Sequence, residues 1–482
     1  MKSGFRIIEF SIDEFMGSND LKVSIFGENK KIDSNIFSCG LIIGENGSGK
    51  TELVIKLIKI FAELDEFQEK KKIRNSKDSE RYNLKYYLNG HIYEIDNKSD
   101  YLFIKDNKVV SLEEIELPRK LIAQSFSFAD KFNFNSAGRY SYLGTRTASN
   151  ASYISHFENS IAEILSTSLT NPGFIDFLKE LFGFLYFDEQ FDIIFEIKSQ
   201  KKLALLISSN EEFKQLYENI TSNRRIKSQL HFDLENLEGI HYKIPDYINK
   251  YIINDKYLTY KIDLNDTFNH EGISEFYVIM RLLSYMKVLT NPNVKFYKYK
   301  NGLRMDVASS GEKQLLYSFL SIYSKIEQNS LIIIDEPEIS LHPNWQMKYL
   351  KLLEKLFSNF TSSQFLIATH SHFMVSDLKK ENSSIIVMNR ETEKFRAYTY
   401  ESNTFSWSAE DILYNVFGVA SSRNYYIASD VEEVIKAISL NNINDVTLNK
   451  IKNLKKIYPD LNNSDPLKTI IDNILKVVGG KR

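Results

Sequence analysis

The stretch Gly44-Glu-Asn-Gly-Ser-Gly-Lys-Thr51 constrains this chain more than any other eight residues in it. Its spaced glycines let successive backbone N–H groups curl around an anion with no Cβ in the way. The flanking residues give the loop its context. Leu41-Ile42-Ile43 is a short, fully apolar strand, and beyond the loop Leu53, Val54, Leu57, Ile58, Phe61 and Leu64 recur at helical spacing. Strand, glycine loop and helix in that order open a βαβ unit, with the positive end of the helix dipole aimed at the bound anion. Gly44, Asn46, Gly47, Ser48, Gly49, Lys50 and Thr51 are therefore candidate phosphate-binding residues. Lys50 is expected to reach the β- and γ-phosphates, and the Thr51 hydroxyl to ligate Mg2+.

A second apolar run, Leu331-Ile-Ile-Ile334, ends in Asp335-Glu336-Pro337. Short continuous apolar runs fit strands covered on both faces of a parallel sheet, and Phe365–Ala368, Ile385–Met388 and Leu121-Ile122-Ala123 read the same way. Such sheets place their ligands at the C-terminal ends of the strands. Asp335 is then a candidate Mg2+ ligand, and Glu336 a candidate general base for an attacking water. Ahead of this strand, Ala308-Ser309-Ser310-Gly311-Glu312-Lys313-Gln314 precedes the helical run LLYSFLSIYSKI. Taken alone, it reads either as an anion-binding turn at a helix start or as a simple N-cap with Glu at the third position. Finally, Ala368-Thr369-His370-Ser371-His372 follows a strand. An imidazole there can donate to a phosphate while its other nitrogen is oriented by the protein.

Taken in order, these four motifs resemble those of ABC-type ATPase heads, over roughly residues 1–125 and 290–400. The resemblance implies an α/β P-loop head that binds and hydrolyses ATP with Mg2+. It also implies a dimer in which Ser309, Ser310, Gly311 and Glu312 of one subunit approach the γ-phosphate held by the other. His370 takes the place of the phosphate-sensing histidine, and Gln124 that of a Mg2+-contacting glutamine. Glu338-Ile-Ser-Leu-His342-Pro343 differs from the transporter pattern. It resembles the branch holding the RecF-like repair proteins and the overcoming-lysogenization-defect ATPases. The stretches SFSFADKF (125–132), YSYLGTR (140–146) and Trp407–Tyr426 resemble antiphage ATPases of the Septu type. That likeness implies an ATPase or sensor that controls a separate effector nuclease. A RecF-like repair ATPase acting directly on DNA is the alternative.

Between the two halves of the head, residues 126–289 read as a mainly helical insertion, and 401–482 as a helical C-terminal interaction module. Either is a candidate surface for the effector. Glu66 to Arg81 reads as a charged surface turn. No second acidic cluster follows His370, so no nuclease is expected in this chain. The net charge of −2 offers no overall pull toward nucleic acid. A local contact is open at Arg224–Lys227 and at Lys295–Arg304, where lysines alternate with aromatics; a solvated strand face is the other reading. Arg139 and Arg146 could reach phosphate or form surface ion pairs. A single cysteine, Cys39, excludes a disulfide framework. With no legible signal peptide or membrane-length apolar run, the expectation is a cytoplasmic protein without a membrane contact.

Overall fold

The computed structural model describes residues 4–26, 36–71, 80–127, 130–144, 153–222, 237–266, 272–299, 301–304, 308–377, 383–400, 425–440, 444–460 and 466–479. The chain divides into two compact units, Met1–Phe405 and Ser406–Arg482.

The first unit is organised by a seven-stranded sheet. Its order is Lys394–Tyr400, Ser383–Glu391, Ser38–Ile43, Gln364–Thr369, Leu331–Asp335, Leu121–Ser125 and Tyr140–Tyr142. All neighbours run parallel except the first pair. Four of the strands with continuous apolar runs, Ser38–Ile43, Leu331–Asp335, Gln364–Thr369 and Leu121–Ser125, are buried along their whole length, which the two-sided cover of a parallel sheet demands. On one face, Leu331, Ile333, Leu366 and Ala368 pack with Leu53, Val54, Leu57 and Phe61 of the helix Lys50–Lys70. On the other, Phe365 meets Phe357, which also meets Phe319 of the helix Ser310–Tyr323. Register then aligns the strand ends. Asp335 lies beside Ser125 and Ala368, while Thr369 lies beside Ile43.

The outer face of the helix Lys50–Lys70 is covered by a six-stranded antiparallel sheet built from Phe5–Ile12, Leu21–Ser24 and four strands between Tyr82 and Val109. This helix runs through Lys70, farther than the expected turn at Glu66, because Phe67 is buried and Glu66 pairs with Lys70 one turn on. Arg6 ties this sheet to the central one. Its guanidinium, 1% exposed, donates to the carbonyls of Phe5, Ser362, Ser363 and Thr361 at 2.7–3.2 Å.

The inserted region carries a five-stranded antiparallel sheet that the helical reading of 126–289 lacked. Its order is Ile252–Ile253, Tyr257–Asp263, Gln190–Glu196, Asn293–Lys298 and Asn301–Arg304. Phe191 pairs with Phe296, so the strands Asn293–Lys298 and Asn301–Arg304 belong with the insertion sheet rather than with the second half of the head. Partners this distant in sequence leave no trace in local periodicity. The apolar face packs on Phe182 of the helix Pro172–Leu185 and on Phe276 of the helix Ile273–Tyr285.

Among the described residues, the second unit carries three α-helices, Tyr425–Ser439, Asp445–Ile457 and Pro466–Gly479, around Val434, Ile451, Leu454, Leu467, Ile471 and Ile474. Among the described residues, no helix is long and apolar enough to cross a membrane.

Candidate functional site

The loop Gly44–Gly49 joins the strand Ser38–Ile43 to the helix starting at Lys50. Gly44 is required by space: a Cβ there would lie 2.1 Å from the Met388 carbonyl oxygen. The Lys50 ammonium folds back over the loop, donating to the carbonyls of Gly44 at 2.9 Å and Glu45 at 3.0 Å. It also lies 3.2 Å from His370 Nδ1. Lysine can only donate, so Nδ1 accepts and the proton sits on Nε2. That nitrogen faces Glu336 Oε1 at 3.4 Å. The Thr51 hydroxyl donates to Asp335 Oδ1 at 2.9 Å. The structure thus brings Lys50, Thr51, Asp335, Glu336 and His370 together at the C-terminal ends of three neighbouring strands.

Glu336 adopts a left-handed backbone, φ +53°, while its N–H donates to Ala368 O at 2.8 Å. A non-glycine residue held there costs on the order of 1 kcal/mol, a strain typical of functional turns. Glu338, which has no site role in the sequence reading, accepts from the His370 N–H at 2.5 Å and so fixes the turn carrying the imidazole. Two further residues come from the segment after Leu121–Ser125. The Ser127 hydroxyl hydrogen-bonds to Glu336, and the buried Asp130, held by Phe132 N and the Tyr142 hydroxyl, adds its charge to the field at Asp335. Both lie in the stretch 125–132 that carries a resemblance but no derivable chemistry; sheet register places them at the site.

Gln124 does not join this group. It is fully buried, and its amide donates to Ser318 O and Ser321 Oγ at 3.3 Å while accepting from the Ser318 hydroxyl. Side chains alternate along a strand, so the residue before Ser125 faces the helix Ser310–Tyr323. Arg139 pairs with Asp65 at 2.7 Å, which is the ion-pair reading. Arg146, Arg224–Lys227 and most of Trp407–Tyr426 lie outside the described residues.

Burial works against the charge of two groups at this site. Burial pushes Lys50 down to about 8, against the pull of Glu336, Glu338 and Asp335. Burial also pushes Asp335 up to about 7, opposed by Thr51 and reinforced by Glu336, Asp130 and Glu338. Glu336 is held below its ordinary value by the His370 hydrogen bond first, against its own burial. A cation and an anion that both resist their charge are relieved together by a polyphosphate bearing a divalent ion. The Ser48 hydroxyl is buried without a partner among the described residues, an acceptor and donor left for the same ligand.

The Ser309 turn is built differently. Ser309 and Ser310 are exposed at the start of the helix Ser310–Tyr323. Glu312 Oε2 accepts from both the N–H and the hydroxyl of Ser309 at 2.8 Å, closing a capping box. Gly311 is needed for close approach, since a Cβ there would lie 2.9 Å from Ser340 O and 3.0 Å from the Trp345 ring.

A phosphate loop on a parallel sheet, a carboxylate pair closing an adjacent strand, an antiparallel sheet over the loop helix and an exposed small-residue turn define an ABC-type P-loop head. The chain belongs to the family described as "AAA domain, putative AbiEii toxin, Type IV TA system", whose model matches residues 41–376. It is 29% identical over 141 residues to the Retron Vc95 probable ATPase of Vibrio cholerae serotype O1 biovar El Tor, covering 27% of this chain and 26% of that one. It is 24% identical over 149 residues to the Septu protein PtuA of Bacillus thuringiensis, covering 28% and 37%. The matched stretch thus spans about a quarter to somewhat over a third of these relatives. Among solved structures, the SMC head domain from Thermotoga maritima matches with a TM-score of 0.36 and 11% identity, covering 82% of this chain and 100% of that one.

Proposed function

We propose that this chain binds and hydrolyses ATP at a site completed by a second copy of itself, as the ATPase of an antiphage defence system. The convergence of Lys50, His370 and Glu336, with Thr51 beside Asp335, carries the reading. Gly44–Thr51 cradle the triphosphate and Lys50 neutralises its outer phosphates. Thr51 and Asp335 would hold Mg2+, which supplies charge neutralisation at the phosphates. Glu336 accepts a proton from the attacking water; water oxygen bonds to the γ-phosphorus as the bond to ADP breaks. His370 holds Glu336 and Lys50 in register. The Ser309–Glu312 turn, whose Ser309 and Ser310 are exposed, serves the triphosphate of the partner subunit in a head-to-head dimer.

The relatives named as a retron ATPase and a Septu protein support the defence role. In this reading a separate effector nuclease docks on the inserted region or on Ser406–Arg482. Direct DNA action is less well supported by the Lys295–Arg304 stripe, because Phe296 is fully buried and Lys298 is engaged by Glu312.

The test is phosphate release by the purified chain across a range of protein concentrations. Turnover per subunit should rise with concentration and vanish in Lys50→Ala. A concentration-independent rate would contradict the two-copy site. Phage plating on cells carrying the chain and its neighbouring genes tests the defence role, which fails if Lys50→Ala protects as well as the parent.

A further inference from the structure

The Glu312 carboxylate has two employers. One oxygen caps Ser309, and the other meets the Lys298 ammonium at ion-pair distance. Lys298 is the last residue of the strand Asn293–Lys298, so it belongs to the inserted sheet and not to the head. The pair is shielded, with the side chains of Lys298 and Glu312 27% and 10% exposed. Although burial acts upward on Glu312, Lys298 and the Ser309 donors hold its carboxyl below the ordinary value, so it remains a charged acceptor.

Lys298 itself is held firmly. Its ammonium lies 4.8 Å from the Phe187 ring centroid, and Phe187 stacks on Phe296 two residues before it at 5.0 Å. Asp188 braces the backbone on both sides: its N–H donates to Tyr297 O at 2.7 Å and its carboxylate accepts from Tyr299 N at 3.2 Å. The end of this strand therefore cannot move without moving the charge that orients Glu312, and Glu312 in turn holds Ser309.

We infer that Lys298 is a positioning residue through which the inserted sheet sets the Ser309 turn, and so governs hydrolysis on the partner subunit. The inference rests on the two-copy reading above. It gives the insertion a role: a ligand or partner that shifts the sheet would alter turnover without touching nucleotide. Lys298 contacts no residue of the phosphate loop among the described bonds, so its loss should spare nucleotide binding by the dilute subunit and impair only the paired state.

The experiment uses the full chain. In Lys298→Met, kcat should fall about tenfold, the effect of 1.4 kcal/mol, with affinity for a fluorescent ATP analogue within about twofold of the parent. Lys298→Arg, which keeps the charge, should recover most of the turnover. Mixing Lys298→Met with Lys50→Ala should give turnover above either alone. The mixed pair holds one site with an intact loop from the first subunit and an intact turn from the second. Unchanged kcat in Lys298→Met beside an inactive Ser309→Arg would overturn the inference while leaving the two-copy site standing. So would a parallel loss of affinity and turnover with no recovery on mixing, the mark of a folding defect. If Ser309→Arg turns over like the parent, the two-copy site itself fails, and the inference with it.

Discussion

Replacing Asp335 by Asn should stabilise the ligand-free protein in a pH-dependent way while abolishing its chemistry. Asn keeps an oxygen to accept from Thr51, a bond of 2.9 Å in the structure, and removes only the ionisation. Burial raises the Asp335 carboxyl from 3.8 to about 7. The folded state therefore holds this proton more tightly than the unfolded chain does. That stabilisation is complete below the unfolded value and is lost as the pH rises through about 7. From pH 5 to 7 the loss runs at about 1.36 kcal/mol per pH unit, or about 3 kcal/mol in all. The Met1–Phe405 unit, at about 2.1 cal/mol/K of unfolding entropy per residue, converts that into about 3 °C of Tm. The assay is thermal unfolding of parent and variant in chelator without nucleotide, at pH 5 and pH 8. The advantage of Asp335→Asn should be about 3 °C larger at pH 8. A gap that stays constant, or narrows toward pH 8, would refute the claim that burial without a cation strains this carboxylate.

Two other substitutions probe the framework. Gln124→Met should cost about 1–3 kcal/mol in denaturant unfolding, by stranding the Ser318 hydroxyl, yet leave the Mg2+ concentration for half-maximal turnover unchanged; a large rise in that concentration would return Gln124 to the metal. Arg6→Met should cost about 3 kcal/mol, because four carbonyls, three of them in buried bonds, lose a charged donor together. A loss under 1 kcal/mol would mean that the clamp between the sheets is dispensable.

The parts of the fold legible in sequence were those written in contiguous residues. The glycine loop, the apolar strands and the residues just past them carry their chemistry within a few positions, so Lys50, Thr51, Asp335, Glu336 and His370 could be named before their geometry was known. What stayed hidden depends on register between distant segments. Ser127 and Asp130 reach the carboxylates only because Ser125 lies beside Asp335 in the sheet. The same alternation turns Gln124 to the opposite face. The inserted sheet is hidden for a related reason: Gln190–Glu196 finds its partners in Tyr257–Asp263 and Asn293–Lys298, and intervening helices dominate the local pattern. The Lys298–Glu312 contact follows from that sheet and was equally invisible.

A shared hydrolytic site requires that two copies of the chain close around ATP. Sedimentation velocity of Glu336→Gln, which retains the binding residues but loses the base, measures this directly. With ATP and Mg2+ the variant should sediment as a stable dimer or a multiple of one, and Ser309→Arg placed in the same background should return it to the smaller species seen without nucleotide. A Glu336→Gln protein that binds ATP yet sediments identically with and without it, whatever the state of Ser309, would contradict the shared site.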